Sequence, residues 1–282
     1  RRGTEMELHD FWFFLICVLW SGYFVLEGFD FGVGMLIPVL GRSEEDRGTL
    51  LGTIGPVWDG NEVWLVTAAG ATFAAFPQWY ATMFSGFYIA LLLVLVLMIV
   101  RVVSFEWREK VDSDRWQGVW TGANVVASYG IPLLWGIALT SLLAGVPVGE
   151  DKEFTGNVFD LFSWYSVLGG VAFMALFAWH GSVFVTLRTT GAMRERAHHL
   201  SLRLAPFSVM LTIAFLVATL WTGVDANDKG LVGGLVIIPL AVAALLVAWF
   251  MAGRRREGVA FASTCVAIVL SVTLLFVELF PR

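Results

Sequence analysis

Two pairs of carboxylates stand where a lipid-bound chain has few: Glu27 with Asp30, and Asp59 with Glu62. Each pair is spaced i, i+3, which puts both acids on one helix face. The second pair lies in GPVWDGNEVWL, the stretch that opens the apolar run LVTAAGATFAAF. An acid at the middle of a bilayer costs roughly 2.5–3.5 kcal/mol on the insertion scale, less toward the interface. Several carboxylates at one depth cannot all stay ionised, because desolvation and like charge favour the protonated form of some. A carboxyl that exchanges its proton near neutrality can relay it. Asp59, Glu62 and Glu27 therefore form the candidate proton pathway. Asp30 and Arg101 read as a structural charge pair. For Glu27 and Glu62 a second reading stays open, an interhelical ion-pair cluster that fixes packing.

These residues must be brought to one depth by the elements that carry them. A helix crossing a bilayer needs about 20 apolar residues. Eight runs qualify: Phe11–Leu36, Ile54–Phe76, Tyr80–Val102, Val119–Leu143, Phe159–Leu187, Ala205–Thr222, Leu231–Met251 and Val259–Phe280. Backbone groups in lipid must pair within their own segment, so the runs are helices. Most of the 18 basic residues fall in alternate loops: Arg42 and Arg47; Arg101, Arg108, Lys110 and Arg115; Arg188, Arg194, Arg196 and Arg203; and Arg254, Arg255 and Arg256. Basic loops stay in the cytoplasm, so the N-terminus is outside. The other side holds only Arg1, Arg2, Lys152, Lys229 and Arg282. With this topology Glu27, Asp30, Asp59, Glu62, Arg101, Asn124 and His180, on separate spans, fall at similar depth toward the cytoplasm.

Composition agrees with lipid as the solvent. Of 282 residues, 58% are hydrophobic and 15% charged, whereas soluble domains average about 25% charged. The net charge of -5 offers no basic face for nucleic acid. Cys17 and Cys265 lie in separate apolar runs and read as small buried residues. The spacing of Gly28 and Gly32 reads as a close helix contact. Haem needs axial ligands, yet of four histidines only His180 is embedded, so no facing pair clamps a haem here. His180 reads as a packing or hydrogen-bonding residue. The sequence holds no P-loop, zinc motif or Ser/His/Asp set. An ion-coupled transporter, typically built with interrupted helices and internal repeats, remains an alternative, although the spans read as continuous and the acids sit toward one face. A scaffold that merely supports a partner is another.

The stretches LEGFDFGVGML, GRSEEDR, TIGPVWDGNEVWLVTAAGATFAAFPQWYATMFSGFYIALLLVLVLMIVR and FEWREK cover most of residues 20–110. In this order they resemble subunit II of cytochrome bd-type quinol oxidases; residues 119–282 match more loosely. The resemblance implies an all-α polytopic membrane protein of the bacterial plasma membrane. Its fold is two four-helix bundles, here about residues 11–143 and 159–280 of a single transmembrane domain. A ninth helix completes the family fold and is lacking in this chain. The implied complex oxidises quinol and reduces dioxygen to water. Two haems b and one haem d are expected in the partner, subunit I, with none ligated by this chain. Small single-span subunits and a structural quinone or lipid are further implied companions. The resemblance maps a cytoplasmic proton entry onto Asp59 and an oxygen route onto Trp64. It links Asp30 and Arg101 with keeping the partner's haem site intact, and finds Glu27 at a position acidic in related chains.

Overall fold

The protein is described by a computed structural model covering residues 8–147, 149, 154–224 and 228–279. Arg1, Arg2, Lys152, Phe280, Arg282 and the Lys229 side chain lie outside the described residues. The elements among the described residues are helical: α1 (Leu8–Leu40), α2 (Glu44–Ile54), α3 (Trp58–Ala75), α4 (Pro77–Gly86), α5 (Tyr88–Trp107), α6 (Asp114–Ala144), a 3-10 turn (Val158–Leu161), α7 (Trp164–Arg188), α8 (Gly191–Val224), α9 (Asp228–Gly253) and α10 (Glu257–Leu279). Seven of the ten α-helices, all but α2, α3 and α4, are long and apolar enough to cross a membrane.

The run expected over 159–187 opens as the 3-10 turn before α7 starts at Trp164, and three further differences from the expected spans each have a local reason. The run expected over 54–76 breaks at Gly55-Pro56-Val57, and the helix starts at Trp58. Asp59, Asn61 and Glu62 in its first turns leave it short of the apolar content of the other spans. The run expected over 80–102 is two helices. Pro77 starts α4, where its missing N–H is no loss, and Phe87 interrupts the helix before α5. The basic stretch from Gly191 to Leu204 is no loop. It is the first part of α8, a helix of 34 residues that carries Pro206 inside it, and its Ala-, Leu-, Met-, Arg- and Glu-rich opening is made of good helix formers.

α7 is the central helix, packed on α1, α6, α8 and α10. Glycines set how closely. A Cβ on Gly32 of α1 would stand 2.7 Å from the Gly181 Cα of α7, so only glycine admits this approach. Aromatic rings fill the space where α1 meets α6 and α7: Trp20 and Tyr23 meet Trp135 of α6 edge-on, and Phe24 meets Phe173 edge-on and Phe177 stacked, both of α7. Trp135 Nε1–H donates to the Tyr23 hydroxyl at 3.2 Å, so the indole is buried with its polar atom satisfied. α5 packs on α6, and α9 packs on α10 and α8.

At one end of the molecule, ion pairs join the basic segments to one another. Arg108 bonds Glu44, Arg196 bonds Asp46, Arg194 bonds Glu257, and Arg255 grips Glu195 with both terminal nitrogens. The alternate basic segments therefore meet at a single face, which the charge rule assigns to the cytoplasm.

Candidate functional site: a buried charge cluster of α1, α3 and α5

Glu27 and Asp30 are one turn apart on α1, and both are fully buried. α3 crosses beside them and brings Asn61 and Glu62 from its first two turns. α5 supplies Arg101, which is also fully buried. The Arg101 guanidinium donates through Nη1 to Glu27 Oε2 at 3.0 Å and to Glu62 Oε1 at 3.4 Å. Its face lies 4.8 Å from the Phe31 ring centroid and 5.4 Å from that of Phe105. Aromatic faces attract the cation and line its site with apolar surface.

Asp30 does not bond Arg101, so the direct pair expected from the sequence is not the one formed. Its Oδ2 accepts from Asn61 Nδ2 at 2.8 Å, and Glu27 takes the guanidinium instead. The reason is geometric: residues three apart on α1 point at different neighbours, Glu27 toward α5 and Asp30 toward α3. Asn61 was missed as a site residue. Its signal was position, since an amide lodged between Asp59 and Glu62 in a lipid-bound segment needs a polar partner as much as they do.

Burial is graded along the acids. Asp59 is exposed, the Glu62 side chain is 20% exposed, and Glu27 and Asp30 are not exposed at all. Glu27 Oε1, Asp30 Oδ1 and Arg101 Nε and Nη2 are buried and make no hydrogen bond within the chain. Buried polar atoms are nearly always paired, and a half-satisfied cluster is poor at stabilising a fold.

The other converging residues stand beside the cluster rather than in it. Asn124 Nδ2 donates to Ser104 Oγ at 2.9 Å, and Ser104 in turn donates to the Arg101 carbonyl at 2.5 Å. Asn124 thus braces the α5 backbone and touches no carboxylate of the cluster. His180 is fully buried with both ring nitrogens engaged, Nδ1 with Thr264 Oγ1 at 2.6 Å and Nε2 with the Val25 carbonyl at 3.2 Å. Its ring lies flat on Phe261, 4.7 Å between centroids. A histidine so committed has no free nitrogen for a metal, and no group of three potential metal ligands occurs among the described residues. Trp64 lies on the wall of an apolar groove of ≈ 930 Å³ between α1 and α10. Cys17 and Cys265 line the same groove as free thiols.

On the cytoplasmic surface, the Asp46 carboxyl is pushed up by what burial it has. The Arg196 hydrogen bond and charge, with the Arg42 backbone N–H, outweigh that and hold it below the usual carboxylate range.

The family described as cytochrome bd terminal oxidase subunit II matches residues 8–282. The chain belongs to this family. Cytochrome bd ubiquinol oxidase subunit 2 of Bacillus subtilis (strain 168) is 42% identical over 281 residues, covering 98% of this chain and 81% of that relative. Cytochrome bd-I ubiquinol oxidase subunit 2 of Escherichia coli (strain K12) is 39% identical over 225 residues, covering 77% of this chain and 58% of that relative. Among solved structures, the bd oxidase from Geobacillus thermodenitrificans matches with a TM-score of 0.77 at 17% identity, covering 98% of this chain and 86% of that chain. That likeness supports the fold. As a subunit II of the bd family with seven long apolar helices among the described residues, the chain is a multi-pass protein of the bacterial plasma membrane and part of an oxidoreductase complex.

Proposed function

We propose that this chain feeds cytoplasmic protons to a haem-bearing subunit I, where quinol is oxidised and dioxygen reduced to water. Reduction of one dioxygen to two waters consumes four electrons and four protons, and two quinols supply the electrons. If quinol releases its protons outside while the consumed ones come from inside, charge separates without a pump. The haems of the partner supply the electron transfer and the oxygen chemistry. The residues of this chain supply position and protons.

The observation that carries the reading is the graded burial from Asp59 through Glu62 to Glu27 and Asp30. Asp59 takes up a proton at the exposed start of α3. Glu62, one turn on, is its next acceptor on the same helix face. Arg101 bridges Glu62 and Glu27, so the partly exposed acid of α3 and the buried acid of α1 share one guanidinium nitrogen. Asn61 holds Asp30 in place by donating to it. The groove beside Trp64 has the apolar lining that dioxygen, a lipid chain or a quinone tail would use.

Asp59→Asn in the assembled complex is expected to lower quinol-oxidase turnover by about 10²-fold or more, the upper range for losing a proton-transfer group being nearer 10⁴. The haem absorption spectrum should keep its full amplitude. Unchanged turnover would overturn the proton-entry reading. A loss of haem in proportion to activity would favour the scaffold instead. Substrate flux by the chain alone in liposomes would point to a transporter.

A further inference from the structure

The chain does not pass directly from α1 to α3. It detours through α2, an 11-residue helix whose first turn holds Glu44, Glu45 and Asp46. Ser43 caps it by accepting from the Asp46 N–H at 3.1 Å, and acids near a helix N-terminus are favoured by its dipole. Leu50 and Ile54 are buried in a cluster with Leu36, Ile37, Phe184 and Val185, so the other end of α2 is fixed to α1 and α7. The first turn reaches out in two directions. Glu44 pairs with Arg108 at the C-cap of α5. Asp46 Oδ1 accepts from Arg196 of α8 at 2.5 Å.

Only Gly55-Pro56-Val57 separate this helix from α3, and the Val57 N–H bonds back to the Ile54 carbonyl at 2.9 Å. The start of α3 has no side-chain cap, and α3 buries only Asn61, Ala68 and Thr72. Trp58 against Phe105 of α5 and Asn61 on Asp30 of α1 hold its first turns on two sides, and α2, three residues upstream, sets how the chain enters that turn. That turn carries Asp59.

We propose that α2 is a strap that aims the entrance at Asp59, and that Glu44–Arg108 and Asp46–Arg196 are its positioning pairs. One pair ties the strap to the helix that carries Arg101, the other to α8 beyond the central helix. The inference rests on the proton-entry reading for its purpose, but not for its geometry.

The test uses the whole complex with Cys17→Ala and Cys265→Ala, and a reporter thiol from Gly60→Cys. A Cβ at Gly60 meets nothing within 4 Å, so the reporter fits and leaves Asp59 in place. Inside-out membrane vesicles are labelled with a membrane-impermeant maleimide. Adding Glu44→Gln and Asp46→Asn should change the labelling rate roughly three- to tenfold, the range that two partly exposed pairs can hold together. Asp46→Glu in the same reporter background, with Glu44 unchanged, keeps the charge and should keep the parent rate. Turnover should fall in the same variants while the haem content stays full. An unchanged labelling rate overturns the strap. A loss of haem in the double variant also overturns it, because the pairs would then build the complex rather than aim the entrance. A changed labelling rate with unchanged turnover upholds the strap and counts against the proton-entry reading.

Discussion

Replacing Arg101 by Gln tests the energetics of the whole cluster. Arg101 and Glu27 are both fully buried and 3.0 Å apart, and Glu62 adds a second contact at 3.4 Å. An exposed pair of this geometry would contribute about 0.2–1 kcal/mol. A buried one behaves differently, because removing one partner leaves an uncompensated charge, at a cost of about 3–5 kcal/mol. The full burial of both side chains decides for the second case. For a chain of this size a loss of 1 kcal/mol lowers the unfolding midpoint by about 2–4 °C, so Arg101→Gln should lower it by roughly 6–20 °C. The assay is thermal unfolding of the purified complex, followed by circular dichroism, in a double-mutant cycle. Glu27→Gln alone should also destabilise. Added to Arg101→Gln it should recover part of the loss, since it removes the stranded carboxylate. The coupling should lie toward the upper end of the 0.5–3 kcal/mol found for contacting residues. Additive effects, or a midpoint unmoved by Arg101→Gln, would refute the argument that this pair is buried and mutually compensating.

Asn61→Leu should destabilise by about 1–3 kcal/mol, the penalty for leaving the Asp30 carboxylate without its donor, and the same melting assay reads it. Gly32→Leu forces a side chain into the Gly181 backbone and should cost at least the 1–3 kcal/mol typical of overpacking, seen as a lower midpoint or lost assembly. His180→Phe should leave the haem spectrum of the complex unchanged, because both imidazole nitrogens are used inside this chain; a missing haem band would show otherwise.

Much of this protein was legible in the chain itself. Lipid admits only helices whose backbone pairs within the segment, so an apolar run of the right length reads as a span, and the basic residues read as its cytoplasmic side. The same logic singled out Glu27, Asp30, Asp59, Glu62 and Arg101, since an acid in lipid is too costly to be incidental. Spacing along one helix, however, says nothing about what lies across from it. Only the packed helices decided that Arg101 takes Glu27 and Glu62 while Asp30 takes Asn61. Only they showed that Asn124 braces a backbone, that His180 is fully committed, and that Glu44 and Asp46 tie α2 to two distant arginines. Hydropathy is a sum over neighbours in sequence and fixes depth. Partner choice depends on the rotation and close approach of helices distant in sequence, which glycines such as Gly32 and Gly181 set.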